Sequence, residues 1–188
     1  MNDLQLQELT PKITPEAFYE AFRKAASEVF SKPDAASYSR GQMTELVTSD
    51  AGVFTRTIQL LGRPELEGRG ELYKIDYTIY DKRPIIGNKV EYRQPIYVHA
   101  LIEHELGRNP EEEFWKLLHH YAPLKVLVFY SDVPQQFLDG FASTYHQVSS
   151  FHPRVASEQY LLICGNPNWN GRDWVAWRTS DFHDLKPL

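Results

Sequence analysis

Apolar residues recur along the chain at two spacings, one typical of helices and the other of strands. An apolar side chain every three or four positions from Phe18 to Val29 predicts a helix. Thr14 suits the cap of this helix and Pro15 its first position. Two later helices are predicted to begin at Asn109 and Pro134. The inner stripes of these two helices are Phe114, Leu117, Leu118 and Tyr121 in one and Phe137, Leu138, Phe141, Tyr145 and Val148 in the other.

Strands are predicted where β-branched and aromatic residues alternate or where apolar residues run together. Alternation is found from Leu72 to Tyr80 and again from Ile96 to Glu105. Leu124 to Tyr130 and Gln159 to Cys164 are mostly apolar, as in strands that are covered on both faces. Two more strands are predicted at Val53 to Leu61 and Arg172 to Arg178, and turns at Gly62-Arg63-Pro64 and Gly68-Arg69-Gly70.

The order of these elements predicts the fold class. From residue 95 onward the chain runs strand, helix, strand, helix, strand, strand. This alternation predicts an α/β fold with a mixed central sheet, partly parallel, flanked by helices on both faces. The 188 residues suffice for one domain with a sizeable core. We expect residues 1–13 to form a flexible N-terminus and residues 14–188 to form a single α/β domain.

Composition and charge narrow the environment in which the protein works. The sequence has no apolar run long enough to cross a bilayer, and it does not open with a basic region followed by an apolar one. We therefore expect a cytoplasmic protein without a membrane partner. Cys164 is the only cysteine and lies in an apolar run, so we expect a buried, inert thiol.

The net charge of −5 disfavours nucleic-acid binding only mildly, because such binding needs a local basic surface rather than a basic chain. A mixed, solvated surface remains an equal alternative, because acidic residues are interleaved with the basic ones. The candidate basic residues are Arg63, Arg69, Lys74, Lys82, Arg83, Lys89 and Arg93.

Candidate chemistry lies at the end of the strand predicted from Ile96. Glu103 and Glu105 are two residues apart and so project from the same face of an ideal strand. Asp76 lies in the preceding predicted strand, and if the two strands are neighbours the three carboxylates can converge. Such a group is most easily tolerated around a cation, and oxygen ligands suit Mg²⁺ or Mn²⁺ better than zinc. The sequence therefore predicts a metal site, with a solvated strand end as the alternative.

The chain resembles the PD-(D/E)XK (restriction endonuclease-like) nuclease superfamily in two respects. Its elements follow the order helix, strands, helix and buried strand, and Asp76 and Glu103-His104-Glu105 lie on successive predicted strands. The resemblance covers roughly residues 15 to 130. It matches Asp76 to the metal-binding aspartate of the family and Glu103 to its glutamate, while Glu105 stands where most members have lysine. The resemblance implies a restriction-endonuclease-like fold and Mg²⁺- or Mn²⁺-dependent hydrolysis of phosphodiester bonds by an activated water. This chain lacks a Pro-Asp pair before the aspartate and has the Glu-x-Glu variant of the motif.

Because Glu105 replaces the usual lysine, it could serve as a metal ligand or a base, or a lysine could come from elsewhere. Lys74 shares the face of Asp76 on an ideal strand, and Lys116 lies on the helix that follows. We therefore predict catalytic roles for Asp76, Glu103, Glu105 and Lys74, with the first three as metal ligands. The expected partner is nucleic acid, DNA rather than RNA, and a homodimer is possible. The alternatives are a non-catalytic binding or assembly module with the same fold, and a metal-dependent phosphohydrolase of small substrates.

Nearby polar residues are expected to be structural. Asp81 adjoins a predicted turn and is interpreted as a turn acid. His104 points away from the acids on an ideal strand and is expected to pack or cap, whereas His99 could approach the site or form a structural hydrogen bond. The amide-rich start of the helix at Asn109 could help to bind an anion. The aromatic segment from Trp169 to Trp177 could stack on bases or pack against the core.

Overall fold

The computed structural model describes residues 12–31, 39–72, 74–81, 97–107, 109–151, 157–166 and 173–188. The helices in these residues are α1 (Pro15–Phe30), α2 (Arg40–Thr48), α3 (Val53–Leu60), α4 (Pro110–Leu118) and α5 (Pro134–Ser149). The strands are β1 (Leu66–Leu72), β2 (Ile75–Asp81), β3 (Val98–His104), β4 (Leu124–Tyr130), β5 (Gln159–Gly165), β6 (Val175–Thr179) and β7 (Lys186–Pro187).

The strands form one mixed sheet in which spatial order follows chain order. In the described residues, the sheet runs β1-β2-β3-β4-β5-β6-β7. β3, β4 and β5 are parallel to their neighbours within this trio, and the remaining pairs are antiparallel. The predicted α/β class and the parallel portion of the sheet are confirmed. The parallel strands follow from the two crossover helices, because a helix between neighbouring strands returns the chain to the same end of the sheet.

Helices cover the sheet on both faces, as the sequence predicts. On one face, α1 and α3 contribute Phe18, Phe22 and Phe54 to a core that contains Ile102 and Val126 of the sheet. On the other face, α4 and α5 pack their apolar stripes against the sheet. The residues of this second core include Leu101, Phe114, Leu117, Leu127, Phe129, Leu138 and Phe141. Alternate residues of β4 enter both cores, which explains its nearly continuous apolar sequence.

The predicted strand from Val53 to Leu61 is wrong, because this segment is helix α3. Its buried residues, Val53, Phe54, Thr57 and Ile58, have the helical spacing of one apolar face. The short length of the segment and its β-branched residues obscured that period. Thr57 is fully buried here and its hydroxyl donates to the Val53 carbonyl at 2.7 Å, which satisfies the polar group within the helix.

The predicted turn at Gly68-Arg69-Gly70 is also wrong, because these residues lie inside β1. A side chain at Gly68 would collide with Ile58 and Tyr77, so the glycine permits close packing of α3 on the hairpin. The strand predicted to begin at Leu72 begins at Ile75, and Leu72 pairs with Ile75 across a tight hairpin. Lys74 lies in this hairpin turn with a left-handed φ of 63°.

One smaller prediction, for Tyr121, needs correction, and several others concern residues outside the described ones. Tyr121 is 57 % exposed and does not belong to the inner stripe of α4, because that helix ends at Leu118. Most of the predicted flexible N-terminus, the basic residues Lys82, Arg83, Lys89 and Arg93, and Trp169 lie outside the described residues. Among the helices that the structure describes, none combines the length and the apolar character needed to cross a bilayer.

Candidate functional site

The pairing of β2 with β3 places Asp76 beside Glu103. The strands are antiparallel and Tyr77 pairs with Ile102, so Asp76 and Glu103 are opposite each other one step further along. Glu103 shares its face of β3 with Leu101, which packs in the core beneath α4 and α5. Two of the three carboxylates that the sequence predicts to converge, those of Asp76 and Glu103, therefore meet on the α4 side of the sheet.

Helix α4 adds a third carboxylate and a lysine to this pair. One carboxylate oxygen from each of Asp76, Glu103 and Glu113 lies within 4.8 Å of the others. We call these three residues the acid cluster. Lys116 is one turn after Glu113 on the same face of α4, and its ammonium forms ion pairs with Glu113 and Glu103. The Lys116 Nζ to Glu103 Oε1 distance is 3.1 Å.

Glu103 is an unusual feature of the cluster because its side chain is fully buried. Neither of its carboxylate oxygens accepts a hydrogen bond of regular geometry from the described residues. The Lys116 ammonium is close enough for an ion pair, but it does not approach Oε1 at the angle of a hydrogen bond. A buried carboxylate normally accepts several hydrogen bonds, so Glu103 retains capacity for a further cationic or donor partner.

Asp76 is held in place by the backbone of β3. Its Oδ2 accepts a hydrogen bond of 2.9 Å from the backbone N–H of His104. The His104 side chain points to the opposite face, where its ring meets Phe54 edge-on and its Nε2 lies 2.9 Å from the Tyr130 hydroxyl. Burial lowers the pKa of His104 to about 3, so this imidazole is neutral at physiological pH. His104 is thus a packing residue that fixes the aspartate through its main chain.

The surroundings shift the pKa values of the cluster in different directions. Burial, followed by repulsion from Asp76, raises the pKa of Glu103 to about 9, although Lys116 opposes this. Burial also raises the pKa of Asp76, against the stabilising His104 N–H. Burial lowers the pKa of Lys116, but its contacts with Glu113 and Glu103 outweigh that effect and leave the pKa above its ordinary value. Burial therefore makes a proton on this pair of carboxyl groups harder to remove, and a cation bound beside them favours its loss.

Glu105 lies just outside the acid cluster. β3 ends at His104, and the Glu105 carboxylate turns back to accept a hydrogen bond from the Gly107 N–H. Burial raises the pKa of Glu105, and repulsion from the charges of Glu113 and Asp76 raises it further. The Glu105 carboxylate therefore interacts electrostatically with the acid cluster. Its predicted role as a direct metal ligand remains a prediction. Its half-buried position also suits a residue that holds a water next to the site.

Lys74, Asp81 and His99 do not lie in the acid cluster. Lys74 is exposed in the β1–β2 turn, two residues from Asp76, so its predicted place on the same strand face as Asp76 is wrong. Asp81 is not a turn acid: it is buried at the end of β2, where its Oδ1 lies 2.9 Å from His99 Nε2. His99 therefore has a structural partner 18 residues away and does not join the acid cluster.

Comparisons with known proteins supply no relative for this arrangement: no protein-family model, no curated protein and no solved structure matches the chain. Three carboxylates converge in a partly buried place, and one of them accepts no hydrogen bond of regular geometry from the described residues; such a group is suited to a hard divalent cation.

Glu113 is the residue of this cluster that the sequence prediction missed. It lies among three consecutive glutamates in the first turn of α4, where acids commonly stabilise the positive end of the helix dipole. These glutamates also oppose the predicted binding of an anion at that helix start. One signal distinguishes Glu113 from Glu111 and Glu112: it is three residues after Pro110 and four before Leu117, so it lies beside the buried stripe of α4.

Replacing Glu113 with glutamine is expected to weaken Mn²⁺ binding about tenfold, because one of three anionic ligands is lost without a change in size. Titration calorimetry of the Glu113→Gln variant measures this. Glu112→Gln is the matched control, since Glu112 is exposed and its Oε2 accepts a hydrogen bond from Asn109 Nδ2 at 3.1 Å. Equal Mn²⁺ affinity in the Glu113 variant and the control would exclude Glu113 as a ligand.

Proposed function

We propose that the protein is a Mg²⁺- or Mn²⁺-dependent phosphodiesterase that hydrolyses nucleic acid, with the acid cluster as its metal site. The observation that carries this proposal is the fully buried Glu103 carboxylate, which accepts no hydrogen bond of regular geometry from the described residues and faces two further carboxylates. A structural ion pair alone would be expected to satisfy both oxygens of a carboxylate at such depth.

The donor set fits a hard metal ion. Mg²⁺ and Mn²⁺ favour carboxylate and water oxygens, whereas structural or catalytic zinc usually has histidine or cysteine ligands. Asp76, Glu103 and Glu113 would hold the ion, which when bound would neutralise phosphoryl charge and lower the pKa of a water. Glu105 is near enough to influence the cluster through its charge and is our candidate for orienting that water or accepting its proton.

The proposed substrate is a phosphodiester polymer. The resemblance to PD-(D/E)XK nucleases supports this choice, since Asp76 and Glu103 meet from neighbouring strands with a helix directly after them. Lys74 and Arg69 are exposed on the β1–β2 hairpin, and Lys74 is two residues from Asp76. We assign Lys74 to contact with substrate phosphate, which suits an exposed, flexible ammonium better than it suits proton transfer.

An assay with two kinds of substrate tests the proposal. We expect the purified chain to cleave labelled single- or double-stranded DNA with Mn²⁺, and to lose this activity with EDTA or on Asp76→Asn substitution. Asp139→Asn is the matched control, because Asp139 is an exposed acid on α5. Hydrolysis of only a small phosphodiester would favour the small-substrate alternative. Activity that persists in Asp76→Asn would mean that the cluster is not the catalytic site.

A further inference from the structure

Lys116 lies where the acid cluster would hold a cation. Its ammonium contacts Glu103 Oε1 at 3.1 Å and also contacts Glu113 Oε2, so it bridges two of the three carboxylates that lie within 4.8 Å of one another. An ammonium between two carboxylates takes up the space that a metal ion with the same ligands needs. The two cations therefore compete for one position.

The side chain of Lys116 is able to leave this position. It is 31 % exposed, so it reaches the cluster from the solvent side, whereas Glu103 is fully buried at the base. Four methylene groups let the ammonium move away without a change in helix α4. Asp76 and Glu103 have no such freedom, because they project from paired strands and the His104 N–H fixes Asp76.

A divalent ion has two advantages over the ammonium in this place. It carries twice the charge, and Mg²⁺ approaches carboxylate oxygens to about 2.1 Å. The metal ion can also contact Asp76, whereas the ion pairs of Lys116 among the described residues are with Glu103 and Glu113. Both differences favour the metal ion near a buried carboxylate, where charge interactions are poorly screened.

We propose that Lys116 is an internal counter-ion that fills the cation position of the acid cluster in the metal-free protein, and that a divalent ion displaces it toward solvent. The proposal rests on the proposed metal site. In the metal-bound protein, the freed ammonium lies at the solvent side of the cluster, where an anionic phosphate must approach. Lys116 thus serves as a positioning residue whose location depends on the metal.

Lysine reactivity tests this displacement. Reductive methylation of the 188-residue chain is followed at each lysine by peptide mass spectrometry, with and without saturating Mg²⁺ at constant ionic strength. We expect Mg²⁺ to increase the methylation rate of Lys116 at least threefold, because a free amine reacts faster than an ion-paired one. Lys24, which is 61 % exposed, and the fully buried Lys125 are internal controls whose rates should not change.

The outcomes separate this inference from the proposed function. If calorimetry shows Mg²⁺ bound through Glu103 while the Lys116 rate is unchanged or lower, the displacement is refuted and the metal site stands. If no Mg²⁺ binds, both are refuted. A Lys116→Gln variant supplies a second readout: it should bind Mg²⁺ about tenfold more tightly, since the position is already vacant. Unchanged or weaker binding in that variant would also overturn the inference.

Discussion

The Glu103→Gln variant is expected to lose metal-dependent cleavage and yet to unfold at a higher temperature than the wild type at pH 8. On the proposed function, loss of cleavage follows from removing the most buried carboxylate of the acid cluster. The gain in stability follows because glutamine has nearly the same shape and needs no charge in a buried site. Such opposite effects are characteristic of a residue kept for function at a cost in stability.

The sign of the stability change follows from the pKa of Glu103, which burial raises to about 9 from an ordinary value near 4.5. Between these pH values the folded state binds more protons than the unfolded state, so the stability of the wild type falls as pH rises. Glutamine does not titrate, and the advantage of the variant should grow by up to about 1.4 kcal/mol per pH unit. After the loss of the Lys116 contact, we expect a net gain on the order of 2 kcal/mol at pH 8.

Thermal unfolding of wild type, Glu103→Gln and the exposed control Glu112→Gln at pH 5 and pH 8 measures this effect. A gain on the order of 2 kcal/mol corresponds to about 4–8 °C for a chain of this size. The increase should be larger at pH 8 than at pH 5 and absent in the control. A Glu103→Gln variant that is less stable than the wild type at pH 8 would show that Glu103 is a stabilising ion-pair partner instead.

The second large effect concerns the pH dependence of metal binding. Because burial raises the pKa of both Asp76 and Glu103, a divalent ion competes with a proton for these carboxylates, and we expect its binding to become tighter as pH rises. We expect the affinity for Mg²⁺ to increase about tenfold per pH unit from pH 6 toward pH 9, and to level off above that value.

Calorimetry in buffers with different ionisation enthalpies measures the protons released on binding. We expect about one proton per Mg²⁺ at pH 7, falling toward zero above pH 9. The matched control is Glu112→Gln, because Glu112 is exposed and outside the acid cluster, so its substitution should leave the proton count unchanged. An affinity that is independent of pH between 6 and 8 would exclude a protonated Glu103 in the metal-free site.

The layered α/β architecture was predictable from the sequence because burial imposes simple patterns on long elements. The stripe from Phe18 to Val29 and the apolar runs of β4 and β5 each reflect packing against a single layer or between two layers. Helix α3 and strand β1 were not predictable in this way. The former spans only eight residues, and Gly68 of the latter makes room for the side chains of Ile58 and Tyr77, which no pattern within the strand reveals.

The candidate site was predictable only where it depends on strand geometry. Alternation and neighbouring strands bring Asp76 to Glu103, and both can be deduced from local pattern. Glu105 differs because β3 ends before it, which releases the side chain from the alternation of an ideal strand. The position of Glu113 in the cluster depends on how helix α4 is oriented on the sheet, and the sequence patterns of β2 and β3 do not reveal that orientation.

Titration of Mn²⁺ into the wild type and the Glu103→Gln variant at pH 8 tests the central claim most directly, because it measures occupancy of the acid cluster without requiring a substrate. We predict saturable Mn²⁺ binding to the wild type. In the Glu103→Gln variant the affinity should be at least about a hundredfold weaker, which corresponds to about 2.7 kcal/mol. Absence of binding to the wild type, or equal binding to both proteins, would contradict a metal site built on Asp76, Glu103 and Glu113.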